Sequence, residues 1–218
     1  EVREIQADFE KATPYNNKLA GNIEHEYELT KCAESTFELI APFVKSMDDV
    51  FNIVENYKVL NKPCPYMLEG LWVNFHKKHE FNPVHTHSGV YSFVLWLKVP
   101  YKMEDETARM ASRNLRTNIP AHFQFSYIDS LGSIRQDLIP VDETYENTLV
   151  IFPAKLNHQV YPFYTSDEYR ISVSGNICLR VEELGVRNVY CAEAELFHHE
   201  SVSRGLDISQ EKAARFNK

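Results

Sequence analysis

The 218-residue sequence has few cysteines, no long apolar run and no cluster of basic residues. Its four cysteines are scattered and form no CxxC pair, which argues against a disulfide framework or a thiolate zinc site. No apolar stretch approaches the roughly 20 residues that a membrane helix needs. Lys and Arg total 23 against 31 Asp and Glu, so the chain offers phosphates no basic surface. We therefore expect neither a membrane span nor a nucleic-acid partner.

The composition is that of one soluble globular domain, because 44% of the residues are hydrophobic, 25% are charged and the chain is long enough to bury a core. The first residues, EVREIQADFEKATPYNNKLAG, lack the basic start and apolar middle of a signal peptide, so we expect a cytoplasmic protein. Nine histidines in a chain of net charge -8 are the one unusual feature. They direct attention to metal binding.

The N-terminal third predicts helices. Segment 27–57 repeats apolar residues at close to a helical period, which predicts one or two amphipathic helices. The apolar positions are Phe37, Ile40, Phe43, Val44, Val50, Phe51 and Val54. These helices should end before Pro63 and Pro65, which cannot continue a helix.

The character changes to strands after Pro65. The predicted strands are LEGLWVNFH, SFVLWLKV, HFQFSYID, RQDLIPV, NTLVIFP, HQVYPFY and YRISVSGNICL. No helix alternates with them, so we predict an antiparallel double-sheet barrel or sandwich, with residues 101–120 inserted as a helix or a mobile flap. The predicted single domain has helical support at 1–65, a β core at 66–178 and a C-terminal extension at 179–218, where Asp207 begins a candidate helix.

The stretch NPVHTHSGVYSFVLWL carries the first candidate site. His85 and His87 are two residues apart, so on a strand both side chains leave the same face. His158 follows a later strand, and three imidazoles can bind a divalent first-row metal. The alternative is that the two histidines lie in an exposed turn near Ser88.

A second candidate site lies on the last predicted strand. Arg170 and Ser172 share one face by the same period of two. A guanidinium inside a barrel needs an anion, because burying it unpaired costs several kcal/mol. Arg170 and Ser172 could therefore hold the carboxylate of a small ligand. The alternative for Arg170 is an ion pair at the rim with Asp167 or Glu168.

The order His-x-His, a gap of about seventy residues, His, then Arg-x-Ser resembles the Fe(II)- and 2-oxoglutarate-dependent dioxygenases. Within them it is most similar to the prolyl-hydroxylase-like group and to oxygenases of marine phages and bacteria. The resemblance covers roughly residues 66–178, with weaker support from LAG near the N-terminus. It implies a double-stranded β-helix, a cupin-like jelly roll flanked by N-terminal helices, in agreement with the strand pattern.

The resemblance also implies roles for individual residues. His85 would be the proximal iron ligand and His158 the distal one, and Arg170 and Ser172 would bind the far carboxylate of 2-oxoglutarate. Asn74 is a further candidate contact to this cosubstrate, and Tyr91 is another. Asn74 could equally cap a neighbouring backbone group.

The sequence departs from the family pattern at His87, where a carboxylate normally stands between the two histidines. Either His87 replaces it as a third ligand, or two histidines act with water or another anion. A neutral ligand would raise the net charge at Fe(II) from about +1 to +2, which the 2-oxoglutarate dianion would neutralise. Glu80 or Asp129 could supply a carboxylate only through a less regular geometry.

The resemblance implies a reaction in which Fe(II), 2-oxoglutarate and O2 oxidise a C–H bond of a peptidyl (prolyl) or small-molecule substrate and release succinate and CO2. Hydroxylation is the default outcome. Two alternatives stay open. One is a three-His cupin dioxygenase that needs no 2-oxoglutarate, and the other is a non-catalytic jelly roll that binds a carboxylate.

Several other polar residues carry weaker expectations. We expect His76 and His79 in a solvated strand end, and the acidic run 104–106 in a solvated loop or helix start. His122 and Gln124 are candidates to line the pocket.

Overall fold

The computed structural model describes residues 1–54, 64–109 and 119–180. Its α-helices are α1 (Val2–Ala7), α2 (Ala33–Phe51) and α3 (Met103–Ala108), with 3-10 turns at Phe9–Lys11, Asn16–Lys18 and Glu143–Tyr145. Its strands are β1 (His25–Glu28), β2 (Tyr66–His76), β3 (Asn82–His85), β4 (Tyr91–Lys98), β5 (His122–Ile128), β6 (Ile134–Pro140), β7 (Leu149–Pro153), β8 (Asn157–Val160) and β9 (Arg170–Leu179).

The strands form two antiparallel sheets. The larger has the order β1-β2-β9-β4-β7 and the smaller the order β3-β8-β5-β6. From β2 onward, consecutive strands alternate between the sheets up to β5 and again from β6 to β9, which is the connectivity of a jelly roll. The predicted mainly β, double-stranded β-helix fold is confirmed. The candidate site lies between the two sheets.

The larger sheet is buried on both faces, and its residues alternate between them. Along β2, Leu71, Val73 and Phe75 pack in one apolar cluster with Ile40 and Val44 of α2. The residues between them, Trp72, Asn74 and His76, line the cavity between the sheets. The period of two therefore separates a helix-covered face from a cavity face.

Helix α2 confirms the predicted N-terminal helix, and residues 53 and 54 are helical again after a break at Asn52. It ends at Phe51, where Asn52 adopts a left-handed conformation (φ 45°) and its N–H donates to the Asp48 carbonyl. Tyr27 lies in β1 instead, because its backbone pairs with that of Val73. Phe43 and Val50, predicted as part of the apolar face, are more than half exposed.

The insertion 101–120 begins with α3, and one residue of its acidic run is buried. Glu106 is fully buried, and its carboxylate accepts hydrogen bonds from the backbone N–H groups of Tyr164 and Thr165 and from the Thr165 hydroxyl. The expectation that the whole run is solvated is wrong at this position, because the loop after β8 brings three donors to it.

We expect Glu106→Ala to lower the free energy of unfolding by roughly 3 kcal/mol, because it leaves buried donors without an acceptor. Urea unfolding followed by circular dichroism measures this. The matched control is Glu104→Ala, which removes an exposed carboxylate from the same helix and should change stability little. Equal effects of the two substitutions would contradict this role for Glu106.

Residues 110–118 of the insertion and the extension from residue 181, including the candidate helix at Asp207, lie outside the described residues. The division of the chain at residues 65 and 178 therefore stays a prediction. None of the helices in the described ranges combines the length and hydropathy that a transmembrane helix requires.

Candidate metal centre and carboxylate site

Three histidines meet in the cavity between the sheets. His85 ends β3 and lies directly opposite His158 of β8. His87 lies two residues beyond the strand, where its N–H donates to the Ala154 carbonyl at 2.9 Å and its carbonyl accepts from Lys155 Nζ at 3.0 Å. One ring nitrogen of each histidine lies within 4.8 Å of the others. The predicted cluster is therefore formed, although only His85 of the His-x-His pair is in a strand.

Two of the rings are held by backbone carbonyls. Nδ1 of His85 lies 2.7 Å from the Pro83 carbonyl, and Nδ1 of His158 lies 2.9 Å from the Leu156 carbonyl. A carbonyl only accepts, so both Nδ1 atoms carry the proton and both Nε2 atoms keep a free lone pair. His87 Nε2 faces His158 Nε2 at 3.1 Å. The free lone pairs are thus directed at one region.

The environment keeps all three imidazoles neutral. Burial lowers the pKa of His85, and burial with the neighbouring His158 and His85 lowers the pKa of His87 to about 3. Burial, and secondarily His85, lowers the pKa of His158 to about 4. Neutral imidazole is the form that binds a metal, so these ligands need not lose a proton at neutral pH.

The two carboxylates considered as replacement ligands are engaged elsewhere. Glu80 accepts from the N–H groups of Glu24 and Lys77 at 3.0 and 2.7 Å. Asp129 accepts hydrogen bonds from the N–H groups of Leu131 and Ser133, in the turn of its own hairpin, and from Arg135 Nε. Within the described ranges, the only group of three or more potential ligands is the three-histidine cluster. The geometry therefore favours His87 in the position of the family carboxylate.

Arg170 is buried in the same cavity, with 2% of its surface exposed. It donates from Nη1 to the Tyr101 hydroxyl and from Nη2 to His76 Nδ1, both at 2.9 Å. Among the described residues Arg170 forms no ion pair, while Asp167 pairs with Lys78 and Glu168 with Lys98. The alternative of a rim ion pair is wrong, and a buried guanidinium remains available for an anion.

His76 lies in the cavity, although the sequence expectation wrongly placed it in a solvated strand end. It is 4% exposed and lies directly opposite Arg170 in the sheet. Burial and the Arg170 charge hold its pKa well below the usual value, so a neutral ring accepts the hydrogen bond. Its spacing of two from Asn74 was the available signal, since both residues then share the cavity face.

Asn74 and Ser172 lie side by side on the cavity face. They are opposite each other in β2 and β9, and Asn74 Nδ2 donates to Ser172 Oγ at 3.2 Å. Both line the cavity that holds the three histidines and Arg170. The structure thus brings together the predicted cosubstrate residues Asn74, Arg170 and Ser172.

Three weaker candidates point away from the cavity. Tyr91 lies on the helix-covered face, where its hydroxyl donates to Asp48 of α2 at 3.1 Å. His122 and Gln124 alternate with Phe123, whose ring lines the cavity, so they lie on the opposite face of β5. Gln124 accepts from the Tyr161 hydroxyl there. All three expectations of a pocket contact are wrong. Alternate residues of a strand face opposite sides of the sheet, and the pairing register sets which of them face the cavity.

We expect His76→Phe and Tyr101→Phe each to weaken 2-oxoglutarate binding about tenfold, because each removes one hydrogen bond that orients Arg170. Metal affinity should not change, since neither residue belongs to the histidine cluster. Calorimetric titration of the cosubstrate into metal-loaded protein measures the effect. A loss of metal binding would instead show that the substitutions damage the whole cavity.

A family model described as "Putative 2OG-Fe(II) oxygenase" matches residues 70–176. An "Uncharacterized protein y4gI" from Sinorhizobium fredii (strain NBRC 101917 / NGR234) is 49% identical over 43 residues, which are 20% of this chain and only 5% of that relative. The chain therefore spans a small part of the curated relative that it matches.

Two solved structures are similar at low identity. An oxidoreductase of the 2OG-Fe(II) oxygenase family from Burkholderia pseudomallei has a TM-score of 0.41 and 14% identity, covering 66% of this chain and 56% of that one. The viral collagen prolyl hydroxylase of Paramecium Bursaria Chlorella virus-1, in complex with 2OG, has a TM-score of 0.41 and 12% identity, covering 79% and 86%.

The family match includes every residue of the candidate site. The three histidines, Asn74, Arg170 and Ser172 all fall between residues 70 and 176. This segment, which forms the jelly-roll core around the three-histidine cluster, is thus similar to the 2OG-Fe(II) oxygenase family.

Proposed function

We propose that this protein is an Fe(II)- and 2-oxoglutarate-dependent dioxygenase that hydroxylates a C–H bond of a small-molecule or peptidyl substrate. The observation that carries the proposal is a single cavity that holds three neutral imidazoles and a buried guanidinium without a carboxylate partner among the described residues. The imidazoles suit a metal cation, and the guanidinium suits the far carboxylate of a dicarboxylic acid.

The residues present fit ferrous iron. Imidazole is a common ligand of Fe(II), and three neutral donors leave the metal charge at about +2 for a dianionic chelator to neutralise. His85, His87 and His158 would hold the ion, and three protein donors would leave positions for cosubstrate and dioxygen. When bound, Fe(II) supplies the redox chemistry that activates dioxygen, which the side chains here cannot supply.

The remaining cavity residues would bind and orient 2-oxoglutarate. Arg170 is fixed by His76 and Tyr101, so its guanidinium is oriented before the ligand arrives. Ser172 Oγ lies on the same face of β9, two residues along, and can donate to the same carboxylate. A dicarboxylate anchored there would direct its other end toward the histidine cluster.

Aromatic side chains close the cavity around the histidines. Phe123 stacks on the His158 ring with centroids 5.6 Å apart, and Phe152 meets the same ring edge-on at 4.8 Å. Trp72 packs against His87 at 5.6 Å. These walls exclude water from the reacting groups, which limits side reactions.

The reaction balances with dioxygen as oxidant. 2-Oxoglutarate loses CO2 and is oxidised to succinate, which takes one oxygen atom of O2. The other oxygen atom enters the substrate C–H bond as a hydroxyl group.

Anaerobically Fe(II)-loaded protein, exposed to O2 with 2-oxoglutarate, should form succinate, and this is the test of the proposal. Carbon-labelled 2-oxoglutarate and chromatography measure the product. A slow uncoupled rate is expected even without the substrate. Absence of succinate above the Arg170→Ala background would contradict the proposal.

One rival function is favoured by a specific observation, the histidine in place of the family carboxylate. A three-His dioxygenase would use the same cluster without 2-oxoglutarate, and Arg170 would then bind the substrate's own carboxylate. The succinate assay separates the two, because the rival would consume O2 without forming succinate. A protein that binds a carboxylate but no metal would fail both measurements.

A further inference from the structure

The cavity also contains a polar corner whose acceptor oxygens have no role in holding the metal or 2-oxoglutarate. The corner consists of Glu26 of β1, Asn74 of β2 and Asn82 of β3, and all three line the cavity. Glu26 lies directly opposite Asn74, which lies opposite Ser172, so these side chains leave the same face of three adjacent strands. At about 4.8 Å per strand, Glu26 is roughly 10 Å from Ser172.

The corner contains three acceptor oxygens without donors. Glu26 Oε1, Asn74 Oδ1 and Asn82 Oδ1 are buried and have no hydrogen-bond partner among the described residues. Glu26 is fully buried, and its other oxygen receives only a long contact of 3.4 Å from Asn16 Nδ2. Burial, with the nearby Glu80 charge, raises the pKa of Glu26 to about 7, as expected for a carboxylate without a cation.

Gly21 packs closely against two of these oxygens. A Cβ atom at Gly21 would lie 2.7 Å from Asn82 Oδ1 and 2.8 Å from Glu26 Oε1, too close for a side chain at this position. The two oxygens therefore lie near each other, and only the missing side chain at position 21 lets both remain in the corner.

The walls beside the corner are apolar, with Leu19, Ala20 and Ile23 lining the cavity next to Glu26. A strongly hydrated divalent cation would need more oxygen ligands than the corner offers. An ammonium group carries three N–H donors and one positive charge, which match three acceptors and one carboxylate. Apolar walls suit a hydrocarbon chain attached to it.

We propose that the corner formed by Glu26, Asn74 and Asn82 binds the primary ammonium group of the substrate, so that the enzyme acts on an aliphatic amine. This inference rests on the proposed function and names its substrate class. Asn82 precedes His85 by three residues, roughly 10 Å along a strand. The oxidised carbon would therefore lie several bonds from the nitrogen.

Saturation-transfer NMR with n-butylamine as the probe tests the proposal. The protein is used metal-free and also loaded with Zn(II) and 2-oxoglutarate, and n-butanol and butyrate are the comparison ligands. We expect n-butylamine to bind at least tenfold more tightly than either in both preparations, because the acceptor oxygens of the corner hold neither the metal nor the carboxylate of 2-oxoglutarate. Binding is read without turnover, so its failure would leave the succinate result untouched.

Substitutions at the corner locate the site. Glu26→Gln should weaken n-butylamine binding at least tenfold while leaving the folded protein as stable as before or more so. The matched control, Glu24→Gln, changes an exposed carboxylate two residues away and should leave binding unchanged. Asn82→Asp adds a carboxylate and should tighten binding, which keeps the test informative if Glu26→Gln does not fold.

Two results would overturn the proposal. Equal binding of n-butylamine and n-butanol would show that the corner does not recognise charge. Unchanged n-butylamine binding in folded Glu26→Gln would show that the amine binds elsewhere, and that a proton shared between Glu26 and Asn82 satisfies the corner instead.

Discussion

Replacing Arg170 with alanine should weaken 2-oxoglutarate binding by roughly 30-fold to several thousand-fold, because it removes one partner of a buried charge pair worth about 2–5 kcal/mol. Arg170 is 2% exposed, and its guanidinium is oriented by hydrogen bonds to Tyr101 and His76. A water molecule in the space left by the side chain could donate a hydrogen bond but would not supply the positive charge. Calorimetric titration of 2-oxoglutarate into metal-loaded protein measures the change.

Arg170→Lys is the matched variant. It keeps the charge but loses the planar pair of donors, so it should recover only part of the lost affinity. Metal affinity should stay at the level of the unsubstituted protein in both variants. Unchanged cosubstrate affinity in Arg170→Ala would show that the dicarboxylate binds elsewhere.

His158→Ala should reduce Fe(II) affinity by more than 100-fold. Loss of a partner that merely orients a ligand already costs roughly 10–100-fold, and His158 would bind the metal directly. Its ring contacts both other histidines, with 3.1 Å between its Nε2 and His87 Nε2 and 4.2 Å between its ring centroid and that of His85. Anaerobic titration with a chromophoric metal competitor measures the affinity.

Two further variants show whether this loss is specific to the metal ligands. His79→Ala removes an exposed histidine outside the cluster and should not change Fe(II) affinity. His87→Asp should retain or improve iron binding, because it restores an anionic ligand at the position where the family has one. A His87→Asp variant with unaltered metal affinity and spectra would place His87 outside the coordination sphere.

Most of the β architecture could be predicted from sequence because its strands have strong local patterns. Strand β4, in SFVLWLKV, is an apolar run between turn residues, and β9 begins with alternating polar and apolar residues. Strand β1 was missed because HEYE carries two acids, and it is a strand only through pairing with β2. Such pairing is a tertiary effect that local propensity does not contain.

The site divides in the same way. His85, His158 and Arg170 could be predicted because their spacing and chemical types form a recognisable order. His76 and Tyr101 could not, since their importance comes from contact with Arg170 across distances of 94 and 69 residues. The prediction for Tyr91 was wrong for a related reason. The register of β4 against β9 places its side chain on the helix-covered face of the sheet.

No sequence pattern distinguishes Glu26 from the other acidic residues, of which the chain has 31 in total. Only the pairing of β1 with β2 turns it inward, where one of its oxygens has no donor among the described residues. A buried, unsatisfied carboxylate is a property of the folded chain, and it is the basis of the proposed amine substrate.

A crystal structure of the protein grown anaerobically with Mn(II) and 2-oxoglutarate tests the central claim most directly. The account predicts one metal ion within bonding distance of a nitrogen of His85, His87 and His158, and the far carboxylate of 2-oxoglutarate paired with Arg170. A metal ion bound away from this cluster, or a 2-oxoglutarate carboxylate that does not contact Arg170, would contradict it.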